Sequence, residues 1–391
     1  MKLGEEINGY RIVTTPTNNN GGKCVWAFAE KDGRPYFIKQ FLEPKRPRPD
    51  SPGSERSKRI RQEVCQEFED RHRGVMSRLT PDMRGGGNLV LAEDFFAAGS
   101  TYYKVTARVD TSSIERPQGL EPRQKLVLLR TLAVSLQLLH GIDIVHGDLK
   151  PANVLVQENK GNSLHIAKLI DFDDSYLTGR PPGPHDIAGD SLYGAPEWRR
   201  YVQEDPTIDA RMLTTAADMF ALGLMTHYYL TGSLPGHDAC YGSPADAVNA
   251  GEELRLDPRL SPTVKGLITA LTARTPENRP RVAAFLAALK DPEVCTLRHI
   301  RPGTTRPLAD ATAPVDAPAS GDARSASPGS TDTPGPAEPR VSRLRMNLGE
   351  GRRSRAATES ESTPLVSSDS PAAETPPRVS RVRINLGDRR K

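Results

Sequence analysis

The chain predicts an α+β fold in two unequal parts, followed by a tail that forms no core, and three observations carry this. Up to Val109, short runs rich in β-branched and aromatic residues alternate with Gly, Asn and Asp turn signals, with one helical stretch among them. From Pro122 the apolar period changes to 3.6 and stays helix-dominated to about Leu289. Beyond Pro302 the composition shifts to Pro, Ala, Ser, Thr and Asp, with no aromatic residue after Phe285, so little apolar area is left to offset the entropy of ordering. The expected domains are therefore 1–109, 110–295 and a disordered 296–391.

In the first part, Tyr10-Arg11-Ile12-Val13 and Cys24-Val25-Trp26-Ala27-Phe28-Ala29 flank a polar loop containing Gly21 and Gly22. Asp32-Gly33 turns the chain into Pro35-Tyr36-Phe37-Ile38-Lys39-Gln40-Phe41, which completes a β-meander. A proline-rich insertion, 44–53, reads as a solvated loop. A helix is expected from about Glu55 to Leu79, with Cys65, Phe68, His72, Val75, Met76 and Leu79 at helical spacing and Glu69 on the same stripe. Gly85-Gly86-Gly87 breaks the chain before Leu89-Val90-Leu91 and Thr101 to Thr106, two further strands. Leu126, Leu129, Leu132, Ala133, Leu136 and Leu139 then form the stripe of a long helix from Pro122 to His140-Gly141, which delivers the chain into His146.

Composition excludes several classes. A net charge of +4, against 53 basic and 49 acidic residues, gives no general affinity for polyanions, so no nucleic-acid partner is expected. Cys24, Cys65, Cys240 and Cys295 are widely spaced and form no C-x-x-C pair, which argues against a zinc site or disulfide framework and fits a reducing compartment. The start MKLGEEINGYRIV has no apolar signal core and no window has the length of a membrane span, so a cytoplasmic protein is expected.

The chemistry concentrates between His146 and Asp173. HGDLKPANVLV places Asp148, Lys150 and Asn153 on one loop, and HIAKLIDFDD places Asp171 on a second, each beside an apolar run of strand length. Phosphoryl transfer requires a group that orients the attacking hydroxyl, cations for the phosphates and oxygen ligands for Mg²⁺, and all of these residue types are present. Further on come Ala195-Pro196-Glu197, Asp218 in an apolar helix, and Arg279. In these motifs and their order the chain resembles the eukaryotic-like Ser/Thr protein kinases, from Tyr10 to roughly Val294.

The resemblance implies a bilobal protein-kinase-like fold, with Mg·ATP as cofactor and protein hydroxyls as substrate. It implies that Asp148 accepts or orients the substrate proton and that Lys150 neutralises the moving phosphoryl group. Asn153 and Asp171 would hold Mg²⁺, and Lys39 the α- and β-phosphates. Gly21 and Gly22 would stand in a phosphate-covering loop that departs from the glycine pattern, Ala107 and Val109 at the hinge that bonds adenine, and Glu69, with Glu67 as runner-up, would pair with Lys39. Asp218 would bond the catalytic-loop backbone, and Glu197 would pair with Arg279. Two departures stand out. Gly147 replaces an arginine that clamps a phosphorylated activation segment, so activity is expected not to depend on phosphates at Ser175, Thr178, Ser191 or Tyr193. Asp173 replaces a glycine, and as a residue tolerant of positive φ it is expected to preserve the loop while adding a carboxylate near the metals.

Two other readings remain open on sequence: a nucleotide-binding scaffold without turnover, and a small-molecule phosphotransferase of the aminoglycoside or choline kinase type. The tail contains a repeat, PRVSRLRMNLGEGRR at 339–353 and PRVSRVRINLGDRRK at 377–391, identical at ten of fifteen positions and apolar at alternate residues. It is expected to add a strand to a partner's sheet edge or to the kinase itself, with Ser342 and Ser380 as candidate autophosphorylation sites.

Overall fold

The computed structural model describes residues 1–299, apart from 20–21, 49, 51, 80–87, 110–115, 160 and 162–163. The tail repeats and Gly21 therefore lie outside the described residues.

The amino-terminal part is built on an antiparallel sheet in the order β1-β2-β3-β4-β6-β5. Its strands are β1 (Glu6–Ile7), β2 (Tyr10–Ile12), β3 (Cys24–Lys31), β4 (Arg34–Phe41), β5 (Ala92–Ala98) and β6 (Thr101–Ala107). The meander is continuous in register, with Trp26 opposite Lys39 and Lys39 opposite Lys104. Helix α1 (Glu55–Arg78) starts at Ser54, whose side chain accepts from the Ser57 amide, and buries Cys65, Phe68, His72 and Val75. That stripe meets Phe41, Phe95 and Tyr102 of the sheet in an aromatic cluster, so α1 is fixed to the sheet by apolar contacts.

The helical part is organised around α2 (Pro122–Gly141), which begins in a reciprocal capping box between Glu121 and Gln124. Leu128, Leu129, Leu132, Leu136 and Leu139 are fully buried. Each side chain so buried contributes about 1.5–3 kcal/mol, which makes α2 the axis of this part. After α2 come β7 (Ile144–Val145), the hairpin β8 (Val154–Asn159) and β9 (Leu164–Leu169), and β10 (Tyr176–Leu177), which pairs with β7. Then follow α3 (Pro196–Val202), α4 (Ala216–Thr231), α5 (Pro244–Asn249), α6 (Pro262–Leu271) and α7 (Val282–Ala288). Packing continues past residue 295, since Leu297 lies on the large core and the Arg298 amide donates to the Arg259 carbonyl at 2.8 Å. No helix among the described residues is long and apolar enough to cross a membrane.

Candidate active site

The β8–β9 hairpin delivers two loops into one cleft. The loop before it runs from His146 to Asn153 and is braced from behind by Asp218 on α4. Asp218 Oδ2 accepts from the His146 amide at 2.8 Å and Oδ1 from the Gly147 amide at 3.1 Å, and His140 Nε2 stands 2.9 Å from Oδ2. The buried His146 ring locks this loop to the second one: Nε2 lies 3.0 Å from the Ile170 carbonyl and therefore donates, while Nδ1 accepts from the Asp148 amide. The Ile170 amide in turn donates to the Asn153 carbonyl at 3.0 Å.

Within this frame three of the expected residues converge. Lys150 Nζ lies 3.0 Å from Asp148 Oδ1 and 2.8 Å from Oδ2. Asn153 Nδ2 donates to Asp148 Oδ2 at 2.9 Å and to its carbonyl at 2.7 Å. The Asp148 carboxylate is thus oriented by a cation and an amide, which leaves lone pairs for a substrate proton. Burial depresses the Lys150 ammonium, but Asp148 and Asp190 outweigh it and push its pKa up.

The second loop carries a correction. The left-handed residue is Asp171, at φ +66°, and Asp173, the residue in the family's glycine position, needs no positive φ. Lys39 Nζ reaches both carboxylates, at 2.6 Å from Asp171 Oδ1 and 3.0 Å from Asp173 Oδ2. Lys104, its cross-strand partner, lies 2.7 Å from Asp173 Oδ1. Burial acts to raise the Asp173 carboxyl, yet Lys104 and Lys39 hold it well below the usual range. Burial and the charge on Asp173 together raise Asp171, against the opposing pull of Lys39.

The expectation that Glu69 pairs with Lys39 is not met. Glu69 Oε1 accepts from the Tyr102 hydroxyl at 2.7 Å, with Arg46 and Arg73 each 3.8 Å away. Glu67 is exposed to solvent and does not take its place. The α1 residue that does face this network is His72, whose Nδ1 accepts from Lys104 at 3.3 Å. Burial, with Lys104 beside it, lowers its pKa well below the ordinary histidine value and keeps the ring neutral. Ala107 ends β6 opposite Tyr36, and Val109 follows it, half-buried; Gly22 sits at φ +55° in open space. Lys104, His72 and Asp190 were missed in the sequence. Lys104 meets this site only through the register of β4 on β6, which sets two lysines face to face.

Gly147 is required by its backbone, not merely an absent cation. It sits at φ +82°, and a Cβ there would lie 2.6 Å from the Asp174 carbonyl oxygen. The activation segment is held by other means. Asp190 Oδ2 lies 3.4 Å from Lys150, and its Oδ1 accepts from the Leu192 and Tyr193 amides. Trp198 packs so closely that a Cβ on Gly194 would meet its ring at 2.4 Å. Beneath it Glu197 and Arg279 form a bidentate pair at 2.7 Å, fully buried, with the remaining guanidinium N–H groups donating to the Ala216, Ala273 and Arg274 carbonyls.

The oxygens present fit Mg²⁺. Asp171 Oδ1 is buried against the Lys39 ammonium at 2.6 Å and keeps lone pairs beyond that contact, and Asn153 commits its amide nitrogen to Asp148 while keeping its carboxamide oxygen.

Residues 20–289 match the protein kinase domain model, and the chain belongs to the protein kinase family. It is 29% identical over 280 residues to the serine/threonine-protein kinase Pkn1 of Myxococcus xanthus, covering 67% of this chain and 37% of that one. It is 27% identical over 230 residues to the serine/threonine-protein kinase PkaA of Streptomyces coelicolor, covering 56% and 38%. It is also 33% identical over 161 residues to the serine/threonine-protein kinase/endoribonuclease IRE1b of Arabidopsis thaliana, covering 40% and 17%. The chain thus spans well under half the length of these curated relatives.

Proposed function

We propose that this chain is a serine/threonine protein kinase that transfers the γ-phosphoryl group of Mg·ATP to protein hydroxyls. The observation that carries the reading is the Asp148 carboxylate, held by Lys150 and Asn153 on a loop that is bonded through His146 and Ile170 to the loop of Asp171. Asn153 and Asp171 would hold Mg²⁺, which when bound would supply positive charge against the phosphates. Asp148 accepts the substrate hydroxyl proton through an oxygen kept in place by its two neighbours. Lys150 adds positive charge where the phosphoryl group passes, and Lys39 does so at the α- and β-phosphates. The backbone of Ala107 and Val109 would bond the adenine edge. The buried Glu197–Arg279 pair and the pinned segment above it support a polypeptide substrate over a small hydroxyl compound.

The same geometry supports activity without activation-segment phosphorylation. Ser175 is fully buried and donates to the His146 carbonyl, Gly147 offers no cation, and Asp190 already ties the segment to Lys150. The repeats at 339–353 and 377–391 serve as paired linear motifs that capture a partner protein by strand addition, with Ser342 and Ser380 as autophosphorylation sites. Deleting both repeats abolishes capture and spares ATP turnover; an unchanged pull-down profile counts against them.

Incubation with γ-labelled ATP, a generic basic protein and an Asp148→Asn control tests the main reading. Label on Ser or Thr of protein, lost in the control, is expected. Label confined to small hydroxyl compounds, or nucleotide binding with no transfer, overturns it.

A further inference from the structure

Lys39 and Lys104 are direct cross-strand partners on β4 and β6, so their side chains leave the same face of the sheet. Two ammonium groups so placed repel each other and need an anion between them. Asp173 is that anion, with Oδ2 at 3.0 Å from Lys39 and Oδ1 at 2.7 Å from Lys104. Its side chain is only 12% exposed and those of the lysines 16% and 7%, so solvent screens these contacts weakly. Helix α1 contributes no carboxylate to this cluster. Its Glu69 bonds Tyr102, and the residue facing Lys104 is a neutral histidine.

We infer that Asp173 is the positioning residue for the phosphate lysine: from the metal loop it holds Lys39, with Lys104 as its counter-cation, in the way a helix glutamate does elsewhere in the family. Lys39 has two carboxylates in the structure, and Asp171 is the one assigned to Mg²⁺. Asp173 is therefore the partner that remains to Lys39 when the nucleotide is bound. The cleft lysine is then set by the loop that carries the metal ligand, and its ion pair does not depend on where α1 stands. The inference rests on the kinase reading for the identity of the ligand.

Asp173 could instead serve only to neutralise Lys104. A double variant, Asp173→Asn with Lys104→Met, separates the two roles, because it removes the anion and the charge that needed it together. Binding of Mg·ATP to the full chain is measured by calorimetry, with thermal melting as the check on folding. The double variant is expected to melt near the wild type, to bind Mg·ATP about tenfold more weakly, and to show a raised KM for ATP with an unchanged KM for the protein substrate. Glu69→Gln is expected to keep its affinity within about twofold. Wild-type affinity in a folded double variant, or a larger loss from Glu69→Gln than from the double variant, overturns the inference. A wild-type chain that binds Mg·ATP and transfers nothing overturns the kinase reading alone, because the binding comparison still decides the role of Asp173. A wild-type chain that does not bind Mg·ATP overturns both.

Discussion

Asp218, on the helical side of the cleft, gives its two oxygens to backbone amides of the loop it supports, whereas Asp173, on the sheet side, gives both of its oxygens to ammonium groups. Asp218 is fully buried and Asp173 largely so, and the two act differently. An amide acceptor fixes a stretch of chain, so Asp218 sets the position of His146 and Gly147, and through them of Asp148. An ammonium partner fixes only the end of a flexible side chain, and any anion within reach can supply it. The helical side therefore holds its catalytic loop through groups that only one geometry satisfies. The sheet side requires only that negative charge arrive near Lys39, and here it arrives from an unexpected element.

Perturbing the helical side should produce the largest effects. Asp148→Asn keeps an oxygen for Lys150 but removes the proposed proton acceptor, and is expected to lower the single-turnover transfer rate by about 10²–10⁴-fold with Mg·ATP affinity unchanged. A loss confined to KM would sink the role given to this residue. Next in size, Arg279→Ala leaves the Glu197 carboxylate buried without its cation and is expected to cost about 3–5 kcal/mol, read as a fall of several degrees or more in melting temperature. Gly147→Ala follows, at about 1–3 kcal/mol, because it forces a methyl group at φ +82° against the Asp174 carbonyl. If Gly147→Ala melts like the wild type, this loop is looser than the contacts of Asp218 imply. On the segment side, Asp190→Asn is expected to slow transfer only a few-fold, in keeping with its longer 3.4 Å contact with Lys150. Phosphatase treatment is expected to change nothing, and an inactive dephosphorylated sample would show that the segment needs a phosphate after all.

This contrast also explains what could be read in the sequence. Helices α1 and α2 were legible to within a residue, because an apolar stripe at period 3.6 runs through each of them. Asp148, Lys150 and Asn153 were legible because they lie within six residues on one loop, where local spacing already fixes their mutual reach. The partner of Lys39 was not. Helical spacing correctly put Glu69 near the buried stripe, but that side chain goes to the Tyr102 hydroxyl, a contact set by how α1 rotates on the sheet. The sequence marked Asp173 as a departure, yet its use depends on Lys104 lying opposite Lys39, a register that no local pattern states. Gly147 shows the opposite failure: its identity was noticed as a missing charge, while the backbone reason, the approach of Asp174, is purely tertiary.

The smallest expected effect compares two buried imidazoles, one on each side. His227 on α4 is satisfied at both nitrogens: Nδ1 donates to the Ser233 carbonyl at 2.7 Å, and Nε2 accepts from the Asp257 amide at 3.0 Å. His72 on α1 accepts from Lys104 at Nδ1, while its Nε2 is buried with no partner. Burial lowers the pKa of His227, and the stabilising Asp257 contact exists only while the ring is neutral. With the folded-state value below the unfolded one of about 6.5, the unfolded chain binds the extra proton first. The contribution of His227 is therefore complete above about pH 6.5 and is lost as pH falls toward the folded-state value. The melting temperature is expected to drop between pH 7.5 and 5.5, and His227→Gln, which keeps a donor and an acceptor but cannot titrate, is expected to flatten part of that slope. His72 has the same sign, so the slope that survives in His227→Gln should diminish further when His72→Gln is added to it. An unaltered slope in both variants would mean that acid destabilisation has its source elsewhere in the fold. A slope removed entirely by His227→Gln would place the proton-sensitive contact on the helical side alone, leaving the lysine cluster around Asp173 indifferent to the charge state of α1.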